Sequence, residues 1–304
     1  MREPFAQRAQ EMGLTQIGAH KGLFVYSDMY SEVAYRQLYT GNINVSEDER
    51  HPTDGAPVPI IAIFTRPTAE VDYKYVGYVS NFYQFIGNDV LCQQVRDSIQ
   101  SVGMPIVTEN PILSWDHTRM RNEIIIQSSQ THVQTGDIFP VMVVDNSYNG
   151  TRAATISFGI SMDYHDSRAI FAFSLGEMRQ VHIQNAVTEM RSIVNSYMQV
   201  FSENIADMIN QSFNSRVTET EMLGVLDLIE KYGRKRRDAI STLLEELQPA
   251  DAGLPSAWQI FLAIVRYSSF EPNLNIKRLL ENAAESVLVI PPRMYDVLEQ
   301  ISTL

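Results

Sequence analysis

The spacing of apolar residues changes near residue 175, and this change constrains the fold more than any other feature of the sequence. Before it, runs such as 153–160 alternate apolar with small polar residues, which is the two-residue period of a half-buried strand. After it, apolar residues recur at steps of three and four between Val187 and Met208, which indicates an amphipathic helix. Antiparallel strands followed by helices predict an α+β fold, in which a β-rich region (1–175) and a helical region (176–304) form one composite domain.

Turn and capping signals divide both regions into elements. Asn149-Gly150 is the strongest hairpin signal, because both residues tolerate positive φ. The segment from Thr218 to Glu221 has the sequence of a capping box and predicts a helix that ends at Gly233. Strands are predicted at 23–27, 58–65, 73–79, 123–133, 138–145, 153–162 and 169–174. Helices are predicted at 89–102, from 176 to about 213, at 218–233, 234–247 and 257–268, and from Pro291-Pro292 onward.

Composition excludes several classes of protein. No apolar run reaches the ~18 residues that a membrane helix needs, and the first residues lack the apolar core of a signal peptide. The single cysteine, Cys92, rules out an intrachain disulfide and a cysteine-rich zinc site. These features predict a cytoplasmic protein that does not bind a membrane. The net charge of −12 disfavours duplex DNA, whereas single-strand binders can be acidic and confine positive charge to one groove.

Catalytic motifs are missing from the sequence. It contains no phosphate-binding loop, dinucleotide fingerprint, zinc-protease motif or nucleophile elbow, so we expect a protein without a cofactor that is not an enzyme. Asp163, His165 and Asp166 permit a metal site, with a polar turn between strands as the alternative. Trp115 and His117 fit a base-handling site, with a turn around one buried tryptophan as the alternative.

Aromatic residues surround a lysine at Tyr73-Lys74-Tyr75. On a strand, Tyr73 and Tyr75 share one face and Lys74 lies on the other. An open face of this kind would stack bases, as in proteins that bind single strands. A core strand is the alternative. Further aromatic residues follow at Tyr78, Phe82, Tyr83 and Phe85.

Four arginines fall on the predicted sheet. Arg119 and Arg121 lead into a strand with an alternating polar face, and Arg152 and Arg168 belong to the same sheet. Arginines on a polar face suit a track of phosphates. A solvated edge strand fits the same pattern equally well.

A basic segment, residues 231–237, stands out in this acidic chain. It holds five basic residues in seven positions: Lys231, Arg234, Lys235, Arg236 and Arg237. Because these follow or flank Gly233 at a predicted helix start, their long side chains should reach solvent and could bind phosphates. The alternative is a solvated turn that pairs with acidic residues of a neighbouring subunit.

Three segments carry a family resemblance: Gly136-Asp137, the run from Asp145 to Gly150 that leads into strand 153–160, and a helix with Trp258, Ala263 and Tyr267. In these the chain resembles, over about residues 70–270, the phage/plasmid-like proteins that carry a widespread domain of unknown function; residues 77–88 resemble an earlier strand-to-helix turn of that family. The crossover at 163–167 departs from the family because it lacks the usual cysteine. The resemblance implies a mobile-element origin and handling of DNA, and it supplies no catalytic residues.

We therefore expect a non-catalytic, bacteriophage single-stranded-DNA-binding protein that acts in transcription or replication. The single-strand interpretation also makes the chain similar to podophage cofactors that hold melted promoters and recruit the phage RNA polymerase. Arginines and lysines would contact phosphates, tyrosines would stack bases, and the chain would form a homo-oligomer in the cytoplasm of the infected cell. The alternatives are a strand-annealing recombination protein and a structural or protein-interaction module that does not bind nucleic acid. A third is a nuclease or other metal-dependent enzyme built on Asp163, His165 and Asp166.

Overall fold

A computed structural model shows an α+β fold with two antiparallel sheets and, in the described part of the chain, seven helices. The structure describes residues 9, 13–16, 23–28, 32–39, 57–66, 72–80, 83, 85–127, 131–133, 136–164, 167–180, 186–248 and 253–302.

The first sheet has five strands in chain order, each antiparallel to the next. Its inner face supplies Val33, Tyr35, Ile61 and Ile63 to a buried apolar cluster. The last strand, β5, lies at one edge of this sheet. The strands are β1 (Thr15–Gln16), β2 (Leu23–Ser27), β3 (Glu32–Tyr39), β4 (Pro57–Arg66) and β5 (Lys74–Ser80).

Helix α1 (Asn88–Ser101) precedes the second, seven-stranded sheet. The strand order is β11-β10-β9-β7-β6, with β12 paired to β10 and β8 paired to β9. The hairpin of β10 and β11 has the register Asp163 opposite Arg168. The strands are β6 (Ile106–Leu113), β7 (Arg119–Ile126), β8 (Thr131–Val133), β9 (Gly136–Ser147), β10 (Ala154–Tyr164), β11 (Ser167–Ala172) and β12 (Met178–Gln180).

Six helices follow, and α5 is central among them because it packs against α2, α4, α6 and strand β11. Phe261 of α5 meets Phe171 of β11 with ring centroids 5.0 Å apart. Full capping boxes start α3 at Thr218 and α5 at Ser256. The helices are α2 (Ala186–Asn214), α3 (Glu219–Glu230), α4 (Arg234–Leu247), α5 (Ala257–Ser269), α6 (Leu274–Glu285) and α7 (Pro292–Ser302).

The chain divides into two compact units that interleave along the sequence. Unit 1 comprises Met1–Gln94, Pro111–Arg121 and Asp145–Ala154, and unit 2 comprises Val95–Asn110, Asn122–Val144 and Thr155–Leu304. The predicted boundary at 175 instead separates most strands from most helices.

The structure confirms the fold class and corrects several elements. The long helix begins at Ala186, not at residue 176, because Met178–Gln180 pairs as a short strand with β10. The sequence predicts a single antiparallel sheet, whereas the structure has two. Strands β1, β3, β6 and β12 and helix α6 were not predicted. None of the described helices is both long and apolar enough to cross a membrane.

Candidate nucleic-acid interface

Two tyrosines stand exposed on one face of the edge strand β5. Tyr75 lies opposite Phe64 and Tyr78 lies opposite Ala62, so both share the face of these two alternate β4 residues. The register shifts between the two pairs, leaving one extra residue in β5 beside Gly77, whose φ of +155° residues with a Cβ rarely adopt. The bulge therefore places residues three apart in sequence on one face. The exposed fractions are 60% for Tyr75 and 66% for Tyr78.

Tyr73 is half-buried just before β5 and is held in place by neighbours. Its hydroxyl donates to a carboxylate oxygen of Glu32, and the Arg66 guanidinium lies 4.8 Å from its ring centroid. Burial, followed by the hydrogen bond to Glu32, raises the pKa of Tyr73 to about 12. Lys74 is exposed and pairs in register with Thr65, so it lies on the opposite face from Tyr75, as the two-residue period predicts. Of the two predicted stacking tyrosines, Tyr75 has the open ring.

The turn between β6 and β7, residues 114–118, is tied by a dense hydrogen-bond network. An Asp116 carboxylate oxygen accepts from the Ser114 hydroxyl at 2.6 Å and from the Thr118 hydroxyl and N–H at 2.9 and 3.2 Å. Although partial burial raises the pKa of Asp116, these hydrogen bonds outweigh it and lower the pKa overall. The Thr65 hydroxyl donates to the Asp116 carbonyl oxygen at 2.7 Å. The turn is thus anchored to the end of β4.

This anchored turn presents Trp115 to solvent, with 90% of the residue exposed. His117 completes the turn with a φ of +55°, which is uncommon for a residue other than glycine. The alternative of a turn around a buried tryptophan is wrong, since Trp115 is the most exposed large hydrophobic residue among those described.

A second turn, residues 148–152 between β9 and β10, is bonded to the first. The Tyr148 N–H donates to the Thr118 carbonyl at 2.7 Å, and the Asn149 amide donates to the Thr118 hydroxyl at 3.0 Å. Arg119 and Arg152 flank these turns and are both partly exposed. The pKa of Arg119 is lowered by burial and by the positive charge of Arg152, while Asp145 and Asp116 oppose the shift. The Arg119 guanidinium is therefore within electrostatic range of one further cation and of two carboxylates.

Two predicted phosphate contacts, Arg121 and Arg168, are already paired with carboxylates of the protein. Arg121 is 1% exposed and forms an ion pair with Asp145 at 4.0 Å, so its guanidinium cannot reach a ligand at the surface. Arg168 donates two hydrogen bonds to Asp163, at 2.6 and 3.1 Å, and lies over the ring of Phe139. Its charge is therefore largely compensated.

The basic segment, residues 231–237, contains two arginines that are paired within the protein and three cations that are exposed. Arg236 donates to Glu271 at 2.8 Å and to the Tyr232 carbonyl at 2.7 Å, and Arg237 forms an ion pair with Glu230 at 3.4 Å. The hydrogen bond to Glu271 raises the pKa of Arg236. The exposed members of the segment are Lys231, Arg234 and Lys235.

Of the three residues that permit a metal site, the structure describes only Asp163. His165 and Asp166 lie outside the described residues, and Asp163 is paired with Arg168. Among the residues that the structure does describe, no three histidine, cysteine, aspartate or glutamate side chains group together as metal ligands.

The site therefore combines predicted and unpredicted residues. Unit 1 holds exposed Tyr75 and Lys74, which the sequence singled out, together with Arg119 and Arg152. Tyr78 was not assigned because a bulge, and not the regular period, places it beside Tyr75. Comparison with known proteins adds no relative, because no protein family, no curated protein and no solved structure matches this chain.

Proposed function

We propose that this protein binds single-stranded DNA through unit 1, without catalysing a reaction. The observation that carries the proposal is that three of the four most exposed aromatic side chains of the described residues belong to this unit: Trp115, Tyr75 and Tyr78. Each ring offers a flat surface to a base, and such stacking contributes about 1–3 kcal/mol per base with little sequence preference.

Cations of the same unit supply phosphate contacts. Lys74 is exposed on the face of β5 opposite Tyr75. Arg119 directly follows the turn that carries Trp115, and Arg152 lies in the second turn, which is hydrogen-bonded to the first. Each phosphate contact with a single strand contributes a salt dependence of roughly 0.7 in the logarithmic slope of the binding constant. The net charge of −12 leaves the remainder of the surface acidic, which disfavours the more highly charged duplex.

The biological setting that we propose is a bacteriophage protein in the cytoplasm of the infected bacterium. The role that we propose, in phage transcription by recruiting RNA polymerase to melted promoters or in replication, follows from the sequence resemblance alone. A homo-oligomer fits both roles. Strand annealing is the alternative within nucleic-acid function, and it predicts rings or filaments on DNA.

Intrinsic fluorescence tests the proposal directly, because the chain has two tryptophans in opposite environments. Trp115 is exposed, whereas Trp258 is 1% exposed. We expect titration with oligothymidylate to quench the red-shifted, acrylamide-accessible emission of Trp115 and to leave the Trp258 emission unchanged. The matching duplex should quench less, and added salt should reverse the quenching.

The matched control is Trp115→Phe, which keeps an aromatic ring and removes the reporter. This variant should bind oligothymidylate in a gel shift while its fluorescence no longer responds. A wild-type protein that ignores oligothymidylate in both assays would contradict the proposal. An exposed edge strand that instead holds subunits together would appear as an oligomer whose size is independent of DNA and that does not bind oligothymidylate.

A further inference from the structure

The basic segment of unit 2, residues 231–237, contains both paired and exposed cations, and the exposed ones do not contribute to stability through ion pairs with the described residues. Gly233, with a φ of +131°, is the N-cap residue of α4 and offers no side-chain cap, and the first turn of the helix contains no acidic residue. Positive side chains near a helix N-terminus are unfavourable, because the helix dipole is positive there. Arg236 and Arg237 are compensated by Glu271 and Glu230.

Lys231, Arg234 and Lys235 have no such compensation. All three are exposed, and no carboxylate of the described residues lies within ion-pair distance of their charged groups. The fixed arginines therefore hold the turn, while the exposed cations remain available to an anion from outside.

An exposed aromatic ring lies next to this arrangement. Phe270 is 74% exposed and directly precedes Glu271, the residue that holds Arg236. Tyr267, one turn earlier in α5, is also within electrostatic range of Arg236. Cations beside an open ring are the combination that single-stranded nucleic acid requires, since phosphates and bases alternate along the strand.

We infer that Lys231, Arg234, Lys235 and Phe270 form a second single-strand contact, on unit 2, that engages only strands longer than unit 1 alone can hold. This inference rests on the proposed function, because it extends the same ligand to a second surface. The three cations contact successive phosphates, and Phe270 stacks on one base.

The test compares two triple variants that remove the same charge from unit 2. The first changes Lys231, Arg234 and Lys235 to glutamine. The control changes Arg191, Arg216 and Arg293, which are exposed elsewhere on unit 2, to glutamine. Affinity is measured at several salt concentrations with oligothymidylates of about 10 and about 40 nucleotides, lengths that bracket usual single-strand site sizes.

For the longer strand, we expect the first variant to lose about 2 from the logarithmic salt slope, at roughly 0.7 per lost contact, and the control to keep the wild-type slope. Both should bind the shorter strand alike. Phe270→Ala should weaken binding of the longer strand only. The melting temperature of the first variant should stay close to that of wild type, because Arg234 and Lys235 are unfavourable at the start of α4 whereas Lys231 is favourable at the C-terminus of α3.

The outcomes separate the two proposals. If wild type binds neither strand, both fail. If wild type binds but the two triple variants behave identically on the longer strand, the second contact is refuted and the proposed function stands.

Discussion

The two tryptophans, Trp115 in unit 1 and Trp258 in unit 2, have similar polar neighbours but opposite solvent exposure. Each lies beside a polar motif that binds backbone N–H groups: Asp116 accepts from Thr118, and the Ser256 hydroxyl accepts from Gln259. Trp258 is buried, with its ring stacked 5.0 Å from that of Phe261. Trp115 has no such cover and is 90% exposed.

The difference shows that a capping motif fixes the backbone but does not decide whether the neighbouring ring is buried. Trp258 starts a helix packed on three other helices and on strand β11. Trp115 starts a tight turn at the tip of a hairpin. A ring presented at such a tip is available to a ligand, whereas the other ring serves stability.

Truncating each tryptophan should separate these roles most strongly. We expect Trp258→Ala to lower the free energy of unfolding by about 3–5 kcal/mol, as large aromatic truncations in a core do. Trp115→Ala should change it by less than about 0.5 kcal/mol, because an exposed side chain loses little packing. Urea unfolding measures both. Equal losses would show that Trp115 is a structural residue and would remove the contrast.

Unit 2 also contains a buried ion pair, in contrast to the exposed cations of unit 1. Lys277 and Glu123 are nearly inaccessible, with Nζ 2.9 Å from Oε1, and Asn110 donates to the other carboxylate oxygen at 3.0 Å. Lys277→Met should lower the free energy of unfolding by about 3–5 kcal/mol, because it removes the counter-ion of a buried carboxylate. Adding Glu123→Leu should recover much of that loss.

The exposed pair of Arg168 and Asp163 provides the control for that experiment. Arg168→Met should cost less than about 1 kcal/mol, because solvent screens an accessible pair. If Lys277→Met is as mild as Arg168→Met in urea unfolding, the interior pair does not stabilise unit 2.

The tyrosine face of unit 1 should affect binding and spare stability. Tyr75→Ala and Tyr78→Ala should each weaken single-strand binding by about 1–3 kcal/mol. Tyr35→Ala is the matched control, because Tyr35 is buried in the same sheet and donates to the Tyr148 carbonyl at 2.9 Å. It should lower the melting temperature. Unchanged affinity per folded molecule in both exposed variants would remove β5 from the interface.

The smallest expected effect is the response of the Trp115 turn to acid. Because the pKa of Asp116 lies below its ordinary value of 3.8, the ionised form stabilises the turn above that pH, and this contribution disappears as the pH falls through the lowered pKa. Fluorescence anisotropy of Trp115 should stay constant down to pH 3.8 and fall below it. Asp116→Asn should lack this step. Measurements belong in the range where circular dichroism is unchanged, and a flat profile in wild type would contradict the expectation.

Regular periods and caps were the parts of the fold that sequence could predict. The bounds of α4 match the prediction, and the capping box at Thr218 opens α3 as expected. Strand β3 was missed because its run 32–39 contains charged and polar residues that interrupt the apolar pattern. The start of α2 was misplaced because the helical spacing begins only at Val187, and residues 178–180 before it pair with β10.

The candidate site was harder to predict, because its residues depend on irregular geometry and long-range pairing. The exposure of Tyr78 beside Tyr75 depends on a bulge, and no local signal reports it. Arg119 and Arg121 share one face of β7 by the two-residue period. Arg121 is nevertheless buried against Asp145, a residue far along the chain. Phe270 was passed over because nothing in sequence separates an exposed phenylalanine at a helix end from a core one.

Unit 1 is assembled from three stretches of chain with parts of unit 2 between them. On the ribosome, the strand that carries Tyr75 and Tyr78 emerges early, whereas the turn at 148–152 that bonds to the Trp115 turn is the last part of unit 1 to emerge. Unit 1 can therefore close only after much of the second sheet has been synthesised. For the same reason, no single cut in the gene yields unit 1 intact, and the two units must be inherited, expressed and engineered together.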